Sequence, residues 1–324
     1  MTEEAGVLLR LPCESNSGCQ TLPYAISPGP KSLAAVSASV YFMLALKGEI
    51  MPHRIKRSPV SLLINVVTFF ILKGEIILHR IKRYLRRMVD SRQREAILSG
   101  LTSRERELIS RIHSGRLTYC SDTKLASLAS TCCSIENASL AGIFLEAGCA
   151  LGGSAILIAS LKSSERQLFI YDVFGMIPPP TKEDTQDVHD RYRTIVEGKS
   201  TGIGGDKYYG YVENLYKVVQ SNFKSFGINC EEQSVWLIKG LVQETMKIEQ
   251  PVAFAHIDVD WYEPVMTCLK RVFPNLVVGG SIILDDYHAW GGCREATDEY
   301  LRGVVGQFVL DDSAESMKVT KVRS

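Results

Sequence analysis

Residues 141–163, AGIFLEAGCALGGSAILIASLKS, hold three signals in one run. The apolar residues Gly142–Leu145 read as a short buried strand. EAGCALGGS is a glycine-rich turn, and SAILIASLKS opens a helix. Strand, tight turn and helix in this order form the first half of a βαβ unit, and the rest of the chain can be tested against that unit.

Downstream the alternation continues. RQLFIYDVF reads as a strand, followed by a long insertion over 176–205 and a helix over VENLYKVVQSNFKSFG. Then come strand SVWLIKG, helix VQETMKI, strand VAFAHIDVD, helix EPVMTCLKRVFPNL, strand GGSIILDD and helix GCREATDEYLRGV. GQFVLDD and MKVTKV close the chain as a strand pair. Upstream, SRQREAILSGLTSRERELISRIHSG has helical spacing and ends near Gly115. SDTKLASLASTCCSI reads as a second helix, capped by Ser121 or Asp122. Strands alternating with helices predict an α/β fold with a doubly wound, mostly parallel sheet. Ligands of such sheets bind at the carboxyl ends of the strands.

Composition agrees with a globular chain. Of 324 residues 45% are apolar and 23% charged, and the net charge of +1 argues against a dedicated nucleic-acid binder. The charge is unevenly spread. Residues 47–94 carry twelve Lys/Arg against Glu49, Glu75 and Asp90, a surplus of +9, which leaves −8 on the remainder. The nine cysteines, at 13, 19, 120, 132, 133, 149, 230, 268 and 293, form no C-x-x-C pair and are odd in number. That pattern fits reduced thiols in a cytoplasmic compartment rather than a disulfide framework or a zinc site. MTEEAG begins acidic, unlike a signal peptide.

Residues 1–94 divide from 95–324 as an irregular, partly helical arm, its first 31 residues read as disordered. LKGEIMPHRIKR (46–57) and LKGEIILHRIKR (72–83) agree at ten of twelve positions, each after an apolar stretch. Those stretches, of roughly fifteen residues, fall short of the ~20 needed to span a bilayer. Residues 32–94 are read either as a weak, peripheral membrane contact or as a duplication without a role.

The residues that carry chemistry lie in the second part. Glu146, Gly148, Gly152 and Gly153 make E-x-G-x-x-x-G-G, which departs from the dinucleotide pattern G-x-G-x-x-G at Ala150. Asp172 ends the next strand, where a carboxylate can accept both hydroxyls of a ribose. Together these point to a nucleoside cofactor. AHIDVDWYEP (255–264) and GGSIILDDYHAW (279–290) each end an apolar run in paired acids. If the two strands are neighbours, Asp258, Asp260, Asp285 and Asp286 converge on one rim. Four carboxylates with no cysteine nearby favour a hard cation such as Mg²⁺ over zinc. Such an ion lowers the pKa of a bound hydroxyl, and one acid can then act as base.

FLEAGCALGGSA, YDVFGMIPPP, GIGGDKYYGYVENLY, HIDVDWYEPV and IILDDYHAWGGCREATDEY resemble the macrocin O-methyltransferase family over roughly 115–310. That resemblance implies a Rossmann-like class I methyltransferase fold and S-adenosylmethionine and Mg²⁺ as cofactors. The acceptor would be a sugar or other small natural-product hydroxyl. It implies Glu146, Gly148, Gly152, Gly153, Ser154 and Asp172 as cofactor-binding residues. Asp258, Asp285 and Asp286 would be metal ligands and Asp260 the general base. The segment 176–215 would be a mobile cover with hinge glycines and aromatic walls. A homo-oligomer is compatible with it, and the basic arm is not part of the family pattern.

Two other classes remain. D-x-D with a divalent ion also suits a nucleotide-sugar glycosyltransferase, against which the glycine turn and the second acid pair speak. A non-catalytic methyltransferase-fold module at a membrane is the third, although all four acids are present. His256 reads as a hydrogen-bonded core histidine. His288 and Arg294 read as exposed groups or as contacts of substrate or rim carboxylates, and Trp261 and Tyr262 as packing or pocket wall.

Overall fold

The computed structural model describes residues 92–324. The duplicated segments and the membrane contact read in residues 32–94 therefore fall almost entirely outside the described residues. After a helical stretch over residues 92–99, the elements in chain order are α1 (Ser103–Ser114), α2 (Asp122–Asn137), β1 (Ile143–Ala147), α3 (Gly153–Leu161) and β2 (Leu168–Asp172). Then come α4 (Gln186–Val196), α5 (Leu215–Ser225), β3 (Val235–Lys239), α6 (Val242–Thr245) and β4 (Val252–Ile257). Last are α7 (Tyr262–Asn275), β5 (Leu276–Leu284), α8 (Gly291–Arg302), β6 (Phe308–Asp311) and β7 (Met317–Lys321).

The seven strands form one sheet in the order β3-β2-β1-β4-β5-β7-β6. All neighbours pair in parallel except β7, which runs antiparallel to both β5 and β6. The chain leaves β1 in one direction through β2 and β3, then returns to β1's other side with β4. The carboxyl ends of β1 and β4 therefore open a crevice that no crossover helix covers, which is where such sheets take ligands.

Side-chain alternation sorts the core into two layers. Phe144, Phe254 and Ile283 face one layer; Leu145, Ala255, Ile257, Ile282 and Leu284 face the other. The first layer packs under α1, α2, α3 and α5, the second under α7 and α8. Strands buried on both faces need helices on both, so apolar runs rather than period-two alternation mark β1 and β4 in the sequence.

Two predicted elements differ from the structure. The helical stretch expected without interruption up to Gly115 is broken at residues 100–102. Thr102 Oγ1 accepts from Glu105 N (3.3 Å) while Glu105 Oε2 accepts from Thr102 N (2.6 Å), a capping box that starts α1 afresh. The insertion after β2, read from the sequence without an element of its own, is partly helical. It carries α4, whose Val188 and Ile195 are buried with Ile177, Tyr208 and Trp261 in a small third cluster. Ser121, one of the two proposed caps, is the one that caps α2. Among the described residues no helix is long and apolar enough to cross a membrane.

Candidate functional site

The backbone ladder runs one residue past the named strands. Asp258 N donates to Ala147 O (2.8 Å), and Asp285 N donates to Ile257 O (3.0 Å). These bonds hold Asp258 beside Gly148 and Asp285 beside the end of β4. A Cβ at Gly148 would lie 1.8 Å from Asp258 O, and the residue has φ +82°. Glycine is required there for backbone contact as much as for any ligand. Carboxylate oxygens of Asp258, Asp285 and Asp286 lie within 4.8 Å of one another, and Asp286 is within hydrogen-bonding reach of Asp258 and Asp260. Asp260 enters the group by adopting a left-handed backbone, φ +55°, which aspartate tolerates better than most residues. The neighbouring strands and converging acids expected from the sequence are thus both present.

Crowding acids into a low-dielectric rim raises their affinity for protons. Burial, then the charges of Asp285, Asp286 and Asp260, pushes Asp258 well above the usual carboxylate range. Burial, then Asp286, does the same to Asp260. Burial and Asp285 raise Asp286. Asp285 alone is held low, because His256 and Lys124 outweigh its burial. Lys124 Nζ bonds Asp285 Oδ2 at 2.6 Å and Asp285 O at 2.9 Å. His256 Nδ1 lies 2.8 Å from Glu146 Oε1; burial lowers its pKa, but contacts with Asp285 and Glu146 win and lift it to about 9.

The four rim carboxylates face Lys124 and His256, with Arg191 acting on Asp260, and His256 is shared with Glu146. The surplus negative charge and the unpartnered buried Asp286 Oδ2 fit a hard divalent ion on oxygen ligands.

The glycine turn is organised by Asp172. Its Oδ2 accepts from Cys149 N (2.7 Å) and Ala150 N (3.2 Å), and its Oδ1 from Phe174 N (2.6 Å). Ala150 takes φ +46°, so the backbone makes the turn at the position where the dinucleotide pattern would place a glycine. Three of the residues expected to bind the cofactor lie away from the cavity. Glu146 is fully buried, bonded to its register partner His256 across β1 and β4 and set beside Ser154. Ser154, itself buried, is turned to that pair. The Gly153 amide is used by Leu117 O (3.0 Å), and a Cβ there would meet Leu117 O at 2.6 Å. These residues support the turn from below, while Gly148 and Asp172 line the open space above it.

That space is a cavity of about 390 Å³ at the carboxyl ends of β1–β4, reached by Gly148, Asp172, Gly240, Asp258, Asp260 and Tyr209. The insertion forms one wall with Pro178–Pro180. It is tied down where Trp261 Nε1 donates to Pro178 O (2.9 Å) and Tyr262 N to Asp184 Oδ1 (2.7 Å). Trp261 is both packed and part of the wall. His288 is exposed, and Arg294 stacks over Tyr287 and donates to its carbonyl rather than meeting the rim acids. His256 is the hydrogen-bonded buried histidine expected.

Lys124, Cys120 and Gly240 were not found from the sequence. Cys120 Sγ lies 3.7 Å from Asp285 Oδ1, which corrects the expectation of a rim without cysteine. Lys124 leaves one faint signal, a cation in the first turn of a helix, where the macrodipole disfavours it.

Comparison with known proteins adds a family. The sequence model of the macrocin O-methyltransferase (TylF) family matches residues 60–305, beginning upstream of the region in which the motifs lie. Demethyldecarbamoylnovobiocin O-methyltransferase of Streptomyces niveus is 26% identical over 167 residues, 49% of this chain and 58% of that protein. The match thus spans little more than half of that relative's length. An 8-demethyl-8-(2,3-dimethoxy-alpha-L-rhamnosyl)-tetracenomycin-C 4'-O-methyltransferase of Streptomyces olivaceus is 27% identical over 213 residues, 64% of this chain and 70% of its own. The solved structure of the O-methyltransferase NovP superposes with a TM-score of 0.54 at 20% identity, covering 64% of this chain and 83% of that one. That likeness is one of fold.

Proposed function

The chain belongs to the macrocin O-methyltransferase family, and on that premise we propose that it is an S-adenosylmethionine-dependent O-methyltransferase. Its acceptor is a hydroxyl of a sugar or other small natural product, the class named in its curated relatives. The observation that carries the reading is the cluster of Asp258, Asp285 and Asp286 at the edge of a cavity that Asp258, Asp260, Gly148 and Asp172 line.

Gly148 of the turn and Asp172 at the end of β2, which line the cavity, would hold the cofactor, with Glu146, Gly153 and Ser154 bracing the turn. Gly152, with φ +90°, caps α3 and keeps the turn tight. Asp258, Asp285 and Asp286 would hold a divalent cation. When bound, S-adenosylmethionine supplies a methyl group on a positively charged sulfur, and the cation supplies Lewis acidity that lowers the pKa of the acceptor hydroxyl. Asp260 takes the hydroxyl proton. Its burial beside Asp286 makes it a stronger base than an exposed aspartate, closer to the pH at which it must work. Trp261, Tyr209 and the Pro178–Pro180 wall exclude water and orient the acceptor, and transfer is then largely a matter of positioning.

Calorimetric titration of S-adenosylmethionine into the full chain tests the first half, with Mg²⁺ and with a chelator. Binding in both conditions is the expected result, and its absence from a folded sample removes the proposal. Transfer of labelled methyl to a panel of glycosides and phenols, with and without Mg²⁺, tests the second half. No observation separately favours the glycosyltransferase or the non-catalytic alternative.

A further inference from the structure

We propose that Cys120, His256 and Asp285 form a second cation site, which takes a thiophilic divalent ion such as Zn²⁺. It differs in donor chemistry from the all-oxygen set beside it. The two oxygens of Asp285 are divided between different neighbours. Oδ2 is held by Lys124 at 2.6 Å, while Oδ1 lies 3.7 Å from Cys120 Sγ and 3.7 Å from His256 Nε2. One donor atom from each of the three residues lies within 4.8 Å of the other two, and all three residues are buried.

His256 is the second, independent observation. It is fully buried, its Nδ1 is engaged with Glu146 at 2.8 Å, and its Nε2 has no hydrogen-bond partner. A carboxylate on one imidazole nitrogen, with the other aimed at a cluster of donors, is how proteins orient a histidine that ligates a metal. The spacing also suits the ion. Zinc bonds of about 2.3 Å to sulfur and about 2.0 Å to oxygen or nitrogen, at a tetrahedral angle, separate ligand atoms by about 3.3–3.5 Å. The two separations from Asp285 Oδ1, 3.7 Å each, need a movement of only a few tenths of an ångström, and the third, between Cys120 Sγ and His256 Nε2, is within 4.8 Å.

Each ligand comes from a different element: Cys120 from the segment before α2, His256 from within β4, and Asp285 from the end of β5. No sequence spacing announces such a set. Seating an ion releases the thiol proton of Cys120 and any proton on His256 Nε2 to solvent. Asp285 belongs to both sets, so a soft ion bound here shares or withdraws a ligand of the oxygen set.

The test is a titration of Co²⁺ into the full-length, Mg²⁺-free chain, followed by absorption. A thiolate-to-cobalt charge-transfer band saturating at one equivalent is expected. It should be bleached by Zn²⁺, absent in Cys120→Ser and retained in Asp258→Asn. No thiolate band in the wild-type chain overturns the proposal. So does a band that survives in Cys120→Ser, which would place the ion on another cysteine. X-ray absorption of the zinc-loaded wild-type chain needs no variant. One sulfur among nitrogen and oxygen neighbours supports the site; none, or more than one, overturns it. Neither readout uses methyl transfer, so the result is independent of the proposed activity.

Discussion

Asp260 combines a left-handed backbone, a partly buried carboxyl and a neighbouring acid, and each of these costs stability. Strain of this kind persists only where the surroundings over-determine it, and it gathers at functional sites. Asp260→Asn keeps the shape and removes the base. Turnover should fall about 10²–10⁴-fold with cofactor affinity unchanged, as read by initial rates beside calorimetry. The same crowding predicts a pH dependence for the cation-free protein. Asp258, Asp260 and Asp286 have folded-state pKa values above their ordinary ones, and His256 is lifted to about 9. A raised folded pKa gives stability that is full below the unfolded value and lost as pH rises through the folded one. The carboxyls therefore begin to destabilise the chain as pH rises above about 4, and His256 adds to this between about 6.5 and 9. Asp285, held low, acts in the opposite sense, only as pH falls below about 4. Melting temperature in chelator should decline across that whole rise, and Mg²⁺ should flatten the decline. A flat profile in chelator would contradict the crowding of the rim.

Among the elements, α1 and the insertion show how local chemistry sets the edges of the site. The Thr102–Glu105 capping box starts α1. Thr102→Ala should cost about 1 kcal/mol in chemical denaturation and leave kinetics untouched. The insertion depends on Asp184, whose carboxylate accepts from Tyr262 N (2.7 Å) and Thr181 N (2.9 Å). Asp184→Ala strands two backbone donors and should cost about 1–3 kcal/mol. It also frees the wall of the cavity, so KM for the acceptor should rise by more than kcat falls in steady-state assays. Both signals were partly legible. Thr-x-x-Glu is a known start motif, but apolar spacing continues on either side of Gly100 and masks the break. α4 lies within the stretch read only as a long insertion, where the prolines before it and the glycines after it bound a short helical pattern.

For the whole molecule, strand order decides the outcome. The order β3-β2-β1-β4-β5-β7-β6 brings residues from four separated regions of the chain to the ends of β1, β4 and β5. The chain by itself determined the alternation of strands and helices, the glycine turn, the acid at the end of β2 and the two acid pairs. These are local patterns: period, turn chemistry and the residue at a strand's end are set within ten or so neighbours. The tertiary structure alone decided that Glu146 pairs with His256 beneath the turn, 110 residues away, and that Gly153 packs against Leu117. It also decided that Lys124 and Cys120 reach Asp285 from α2 and the segment before it. Those contacts depend on which strands are neighbours and on where a helix crosses the sheet. Burial free energy summed over the whole core selects both, and no short stretch of residues encodes them.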